Sequence, residues 1–294
     1  MKIILLGKYG QLGWELQRTT AALGEVVAVD FPDIDLSEPK SIQNMIMELK
    51  PDLVINATAY TDVEKAEEQI DMANRINGNA PGLIAQACRN CESAFIHYST
   101  DYVFNGKKGS PYSETDQPGP VNVYGKSKLM GENLVSDTGG SHLILRTSWV
   151  YSLRKGGFVN KVLEWSRRQP VMRIVDDQTG SPTWARLLAE VTALLIAGLK
   201  DKPYRSLEPY SGIYHLAGDG CASRYEWAQA ILELNPDQKE RLTEHVDPAK
   251  SSEFPTKASR PDFSGLDCSR FYSTFNLRLP PWRDALNLAL SNTT

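Results

Sequence analysis

Short apolar runs alternate with segments of helical period through the first half of the chain. Ile3-Ile4-Leu5-Leu6, closed by Gly7, sets the form, and similar runs recur at Leu53-Val54-Ile55, Ala94-Phe95-Ile96 and Leu143-Ile144-Leu145. That arrangement predicts parallel strands covered by helices. The expected strands are 2–7, 25–30, 53–56, 94–99 and 142–147. The helices between them are expected over 10–23, from a Ser37 cap through Pro39 to about Lys50, and over 70–88 and 123–135. Residues 105–120 are rich in Gly, Pro and Ser, and a loop of that length between two chemistry-bearing segments points to function.

After Trp149 the alternation weakens. Helices are expected over 158–168, 183–199, 223–234 and 282–290, strands over 171–175 and 212–216, and an irregular run over 247–261. The expected fold is α/β: a Rossmann-type doubly wound parallel sheet with a smaller, mainly helical C-terminal domain that binds substrate. The dinucleotide-binding domain is expected over 1–148, with 183–217 returning to it, and the second domain over 149–182 and 218–294.

Composition narrows the function without naming it. The 294 residues are 41% hydrophobic and 23% charged, with a formal net charge of −4. A mildly acidic chain is not a general nucleic-acid or membrane-surface binder, because those recruit polyanions through a basic face. The N-terminal apolar run is too short for a secretory signal or a membrane span, so a cytoplasmic protein is expected. Cys88, Cys91, Cys221 and Cys268 lack the density of a disulfide scaffold, and no second CxxC or histidine pair completes a zinc site.

Two constellations carry the chemistry. Gly7-Lys8-Tyr9-Gly10-Gln11-Leu12-Gly13 joins the first strand to an amphipathic helix. Glycines there let backbone N–H groups approach a pyrophosphate, whose charge the helix N-terminus favours. Asp30 ends the second strand, where a carboxylate accepts from adenosine ribose hydroxyls and repels a 2′-phosphate. Lys8 in the glycine turn offsets that repulsion, so NADH or NADPH is expected. Asp35 and Leu36 are placed to meet the adenine, and Ala57 and Ala59 offer small side chains where a cofactor crosses the sheet edge.

The second constellation is Tyr124 with Lys128, four residues apart and so on one helix face. A tyrosine with an ordinary pKa near 10 needs a nearby cation to serve as acid or base at neutral pH, and Lys128 is spaced to supply it. Thr100, ending the fourth strand, is placed to bond the same substrate oxygen. His97, His142 and His215 read as packing residues, and no GxSxG elbow is present.

These residues resemble the extended short-chain dehydrogenases/reductases. Within them, Ile55-Asn56-Ala57, the run from His97 to Phe104, Asn122 to Lys128, Arg146 to Tyr151 and Asp177-Gln178-x-Gly180-x-Pro182-Thr183 are similar to the dTDP-4-dehydrorhamnose reductase branch. The resemblance implies NAD(P)H-dependent reduction of the C4 ketone of dTDP-4-dehydro-L-rhamnose, with Tyr124 as proton donor, Lys128 lowering its pKa and holding the nicotinamide ribose, and Thr100 orienting the sugar oxygen. It implies that Asp101 and Trp149 contact the sugar and that Ala59, Tyr60, Thr61 and Tyr98 line the cofactor. Arg260 before Pro261 is then the expected diphosphate partner, since a guanidinium fork binds two oxygens at once. Gln178, Pro182 and Thr183 are expected in the cleft wall.

Tyr102 stands where sugar-nucleotide dehydratases carry a glutamate, which disfavours dehydration. Another nucleotide-sugar 4-ketoreductase, an epimerase, or a non-catalytic regulatory subunit like that of methionine adenosyltransferase stays open. Some members of the family hold an interfacial Mg²⁺ on three carboxylates. Here Glu15 matches one, but Arg186 and Asn292 occupy the others, so no metal is expected. The expected partner is a dTDP-sugar bound by a monomer or weak homodimer.

Overall fold

The computed structural model describes residues 1–38, 40–154, 156–199 and 202–291. Pro39 and Asn292 lie outside them. The chain runs β1 (Lys2–Leu6), α1 (Gln11–Thr19), β2 (Glu25–Val29), α2 (Lys40–Leu49), β3 (Leu53–Asn56), α3 (Val63–Glu68), α4 (Ile70–Ala73), a π-helical turn (Asn74–Asn79), α5 (Ala80–Asn90) and β4 (Ala94–Thr100). There follow α6 (Val123–Asp137), β5 (His142–Thr147), β6 (Val150–Tyr151), α7 (Phe158–Ser166), β7 (Val171–Val175), β8 (Thr179–Gly180), β9 (Thr183–Trp184) and α8 (Ala185–Ala197). The last elements are α9 (Pro203–Leu207), β10 (Gly212–His215), β11 (Ala222–Ser223), α10 (Arg224–Leu234), β12 (His245–Ala249), α11 (Ser269–Phe275) and α12 (Trp282–Ser291).

Six strands form one parallel sheet in the order β10-β5-β4-β3-β1-β2. Because successive strand side chains point to opposite faces, β1 splits its apolar run between two cores. Ile3 and Leu5 pack with Leu16 of α1 and Leu188 of α8, while Ile4 and Leu6 pack with Ile42 of α2 and Ile84 of α5. Each fully buried Leu or Ile contributes about 1.5–3 kcal/mol. The strand order reverses between β1 and β3, and ligands of open α/β sheets bind at such a switch point, beyond the carboxyl ends of the strands. The register aligns Leu6 with Val29 and Asn56, Asn56 with His97, and Thr100 with Thr147. One sheet edge thus carries Gly7, Asp30, Ala57 and Thr100.

A further core holds Tyr151, Val162, Met172, Trp227, Ile231 and Leu286, from β6, α7, β7, α10 and α12. Strand β12 pairs with β7 in a two-stranded parallel sheet, which corrects the expectation of an irregular run from 247. Pro248 hid this strand; at a sheet edge its missing N–H costs no ladder bond.

The helix expected over 70–88 starts earlier and is not continuous. Asp62 accepts from the Lys65 N–H and caps α3, and Gln69, at φ −118° and ψ 54°, breaks the run before α4. Apart from Ala66, α3 buries nothing, so it lacks an apolar stripe for the sequence to show. In the π-helical turn, Asn77 Oδ1 accepts from Tyr60 N at 2.8 Å, and its Nδ2 donates to Tyr60 O at 3.1 Å and Ser127 Oγ at 3.0 Å. Helix α8 begins two residues later than expected, because Thr183–Trp184 pairs with β6.

Candidate active site

The glycine turn is held by backbone contacts that exclude side chains. Gly7 has φ +95°, its N–H donates to Val29 O at 2.8 Å, and its carbonyl accepts from Gly10 N at 3.0 Å. A Cβ on Gly13 would lie 1.9 Å from the Gly7 oxygen, so only glycine lets α1 approach β1 this closely. Gly10 caps α1 without a side-chain bond, leaving first-turn N–H groups of the helix directed at the space above.

That space is a cleft of 820 Å³ whose walls include Gly7, Gly10, Gln11, Leu12, Asp30, Ala57, Ala59 and Thr61 at one end. Asp30 is set by the backbone, accepting from Tyr9 N and Phe31 N, each at 2.9 Å. An adjoining hollow of 260 Å³ shares Asp30, Phe31, Thr58 and Ala59 with the cleft and adds Asp35 and Leu36. Among the described residues the buried Gln11 Oε1 has no hydrogen-bond partner, an orphaned acceptor in the cleft wall. Glycine cradle, fixed carboxylate, small-residue edge and orphaned acceptor together fit a dinucleotide.

The other end holds the reactive groups. Asn122 accepts from Gly125 N at 2.7 Å and caps α6, which puts Tyr124 in its first turn. A Cβ on Gly125 would fall 2.2 Å from the Tyr102 carbonyl, so this glycine presses the start of α6 onto the chain following β4. Tyr124 meets Tyr102 edge-on, with centroids 5.9 Å apart. Burial raises the Tyr124 pKa above its ordinary value, opposed by a hydrogen bond from the Thr100 side chain and reinforced by Asp101 and Tyr102.

Lys128 is buried and donates to Tyr98 O at 2.7 Å, with His97 Nε2 at 3.3 Å. Burial lowers its pKa to about 8 against the raising effect of Glu132. The Tyr124 phenol thus stands above its ordinary value, with burial the largest cause, rather than below it as the spacing of Lys128 predicts. Asp101 is buried, and burial raises its carboxyl to about 6 although Ser264, Ser148 and Thr100 all bond it. The bonds are 2.5, 2.9 and 3.1 Å long.

Trp149 adopts φ +43°. Its ring stacks on Trp227 with centroids 5.6 Å apart, and Gly180 makes room for it, since a Cβ there would lie 2.4 Å from Trp149 Cε2. Arg224 lies on the indole, its guanidinium carbon 3.5 Å from the ring centroid, and its charge acts on Tyr102. It also borders a second pocket of 480 Å³ lined by Phe158, Trp165, Met172, Val175, Gln178 and Phe254, among others.

The structure thus brings Gly7, Gly10, Gln11, Leu12, Asp30, Ala57, Ala59, Thr61, Tyr98, Thr100, Asp101, Tyr124, Lys128 and Trp149 to one cleft. Several expected residues stand elsewhere. Gly13 acts through packing, and Asp35 and Leu36 line the adjoining hollow. Tyr60 is outside the cleft wall, with its hydroxyl donating to Gln69 Oε1 at 2.9 Å. Tyr98 turns its hydroxyl to Thr192 Oγ1 at 2.6 Å. Arg260 is outside the wall and paired to Glu64 at 2.6 Å, although its charge is felt by Tyr102 and Arg224.

Thr183 is buried and accepts from Gly218 N at 3.0 Å, and Pro182 packs against Gly218, so this step braces the fold while Gln178 borders the second pocket. The loop 105–120 adds nothing to the cleft wall, because it is tied to the C-terminal segment by Tyr112 N to Gly265 O at 2.9 Å and Asp267 N to Tyr112 O at 2.8 Å. Sequence reasoning missed Arg224, Thr58, Thr147, Ser148 and Ser264. Thr147 and Ser148 lie within the Arg146 to Tyr151 run and Thr58 beside Ala57, whereas Arg224 and Ser264 carry no motif.

Glu15 faces Arg186 Nη1 at 3.7 Å, and Arg186 also meets Glu190 at 2.5 Å. Among the described residues no group of three His, Cys, Asp or Glu could hold a metal ion, and no helix is long and apolar enough to cross a membrane.

The family model of the RmlD substrate binding domain matches residues 1–294. The dTDP-4-dehydrorhamnose reductase of Burkholderia thailandensis is 40% identical over 294 residues, covering 99% of this chain and 98% of the relative. That of Salmonella typhimurium is 38% identical over 289 residues, covering 96% and 94%. A crystal structure of the Clostridium acetobutylicum dTDP-4-dehydrorhamnose reductase superposes with a TM-score of 0.89 at 32% identity over 99% of each chain. One from Bacillus anthracis, in complex with NADP, does so with a TM-score of 0.89 at 29% identity, again over 99% of each. A glycine cradle and a Tyr-Lys pair sharing one cleft, in a fold matched from end to end by these relatives, make this chain a member of the dTDP-4-dehydrorhamnose reductase family.

Proposed function

We propose that this chain reduces the C4 ketone of dTDP-4-dehydro-L-rhamnose to give dTDP-L-rhamnose, using NADH or NADPH. The observation that carries this is the continuity of one cleft from the glycine turn to Tyr124, Thr100 and Lys128. When bound, the reduced nicotinamide supplies the hydride. Residues 1–148 with 183–217 hold the dinucleotide, and 149–182 with 218–294 hold the sugar nucleotide.

Gly7, Gly10, Gln11 and Leu12 receive the pyrophosphate at the α1 N-terminus, Asp30 takes the adenosine ribose, and Asp35 and Leu36 border the adenine. Ala57, Ala59 and Thr61 line the crossing to the nicotinamide. Tyr124 donates its proton to the oxygen that becomes negative at C4, with Thr100 orienting that oxygen. Lys128 holds the nicotinamide ribose and restores the Tyr124 proton. Asp101, braced by three hydroxyls, accepts from a sugar hydroxyl, and Trp149 packs against the sugar ring.

Arg224, lying on Trp149 between the cleft and the second pocket, is the partner we assign to the diphosphate, with Arg260 beside it. The second pocket, apolar apart from Gln169, Gln178 and its arginines, takes the thymine. A hydrogen bond to a charged group contributes about 1.5–3 kcal/mol, so Arg224→Met raises KM about ten- to hundredfold. Steady-state kinetics with the keto-sugar measure this, and an unchanged KM returns the diphosphate to Arg260 alone. A monomer or weak homodimer in the cytoplasm is the working unit we propose.

The test is consumption of NADH or NADPH by purified protein given dTDP-4-dehydro-L-rhamnose, with the product identified by NMR. Oxidation with formation of dTDP-L-rhamnose supports the reading. Binding of both ligands without turnover contradicts it.

A further inference from the structure

His97 sits in the middle of β4, fully buried, with both ring nitrogens facing polar groups. Asn56 Oδ1 accepts from Thr58 N at 3.0 Å and from Thr58 Oγ1 at 2.5 Å, which fixes the orientation of the amide. Its Nδ2, a donor only, is therefore the atom 3.2 Å from His97 Nδ1. His97 Nδ1 must accept, and in a neutral imidazole the proton then resides on Nε2. Nε2 faces Lys128 Nζ at 3.3 Å. An ammonium has three N–H bonds and no lone pair, so it cannot receive that N–H, whereas a neutral amine can.

We propose that His97 is a positioning residue that, through Asn56 and Thr58, presents an N–H to Lys128 and so favours the neutral amine, setting the upper pH limit of the reaction. This rests on the reductase reading above, in which Lys128 acts in its charged form. Burial lowers the Lys128 pKa to about 8, and an N–H facing the amine acts in the same direction; the His97 pKa, pushed well down by burial and then by Lys128, keeps the ring neutral as the geometry requires. With Lys128 required charged, activity is present below about 8 and lost above it.

The charged groups packed around α6 leave this role to His97. Glu132, one turn along α6, favours the ammonium, but Arg146 of β5 holds its carboxylate at 2.9 and 2.6 Å. Tyr124 is the other titratable group on the same face, and Tyr98 of β4 offers Lys128 only its carbonyl. Asp101 is bonded to Thr100, Ser148 and Ser264. From α3, Glu64 faces Arg260 and Glu67 accepts from Val123 N, and from the π-helical turn the neutral Asn77 meets Ser127.

Two measurements test this. In protein carrying ¹⁵N-histidine, without added nucleotide and near neutral pH, long-range ¹H–¹⁵N correlations should show His97 protonated on Nε2 and bare on Nδ1, with His97→Gln assigning the signal. Protonation of His97 on Nδ1 overturns the proposal whether or not the keto-sugar is the substrate, and, should His97→Gln not fold, triple-resonance assignment of the wild-type protein identifies the signal. In the kcat/KM pH profile, wild type should retain about a tenth of its neutral activity one unit above the Lys128 midpoint. In His97→Gln the amide oxygen accepts from the ammonium and raises that midpoint, so about half is retained for a one-unit shift. Equal retention in an active, folded variant also overturns the proposal.

Discussion

Tyr124→Phe should lower kcat by about a hundred- to ten-thousandfold, the range that positioned proton transfer contributes, while leaving nicotinamide binding nearly unchanged. The hydroxyl is the only part removed, and the ring remains to pack edge-on against Tyr102. Thr100, hydrogen-bonded to the Tyr124 hydroxyl, loses one partner but keeps its bonds to Asp101 Oδ1 and Tyr102 N at 3.1 and 3.2 Å. The loss thus falls on the chemical step, since the glycine cradle and Asp30 lie at the other end of the cleft. Rapid-quench turnover with fluorescence titration of NADPH separates the two. A kcat within about threefold of wild type would remove Tyr124 from the role of acid.

The largest stability effect is expected at Glu132. Its carboxylate, completely buried, takes two bonds from Arg146 at 2.9 and 2.6 Å and one from Ser99 Oγ at 2.5 Å. Removing one partner of such a pair leaves the other charge buried and uncompensated, which costs about 3–5 kcal/mol. Glu132→Ala should therefore lose about that much in urea unfolding, and Glu132→Leu combined with Arg146→Leu should recover much of it. Ser99 immediately precedes Thr100, so the single variant also loosens the strand end that orients the substrate oxygen. A single variant within 1 kcal/mol of wild type would show the pair to be energetically idle.

These two sites differ in how far the sequence revealed them. Tyr124 and Lys128 are four residues apart on one helix, and the three glycines fall within seven residues between a strand and a helix, so local periodicity exposes both groups. Glu132 and Arg146 are separated by a helix end and a strand start, and Ser264 reaches Asp101 across 163 residues of chain. No local pattern announces such pairs.

The two arginines make the same point for the substrate. Arg260 carries a motif, but the fold pairs it with Glu64, whereas Arg224 has no motif and is laid on Trp149 because α10 starts beside that ring. Lys128 shows a subtler limit. Spacing places it on the Tyr124 face, yet where its ammonium goes depends on His97 and the Tyr98 carbonyl, both on a different element. His97 itself reads in sequence as a packing residue, and only the orientation of Asn56 reveals which nitrogen carries its proton.

The most direct measurement of the central claim follows the hydride. NADPH deuterated at C4 of the nicotinamide is turned over with dTDP-4-dehydro-L-rhamnose, and the sugar product is analysed by NMR and mass spectrometry. The account predicts one deuterium, located at C4 of dTDP-L-rhamnose. Product without the label, label at another carbon, or a C4 epimer of rhamnose would contradict it.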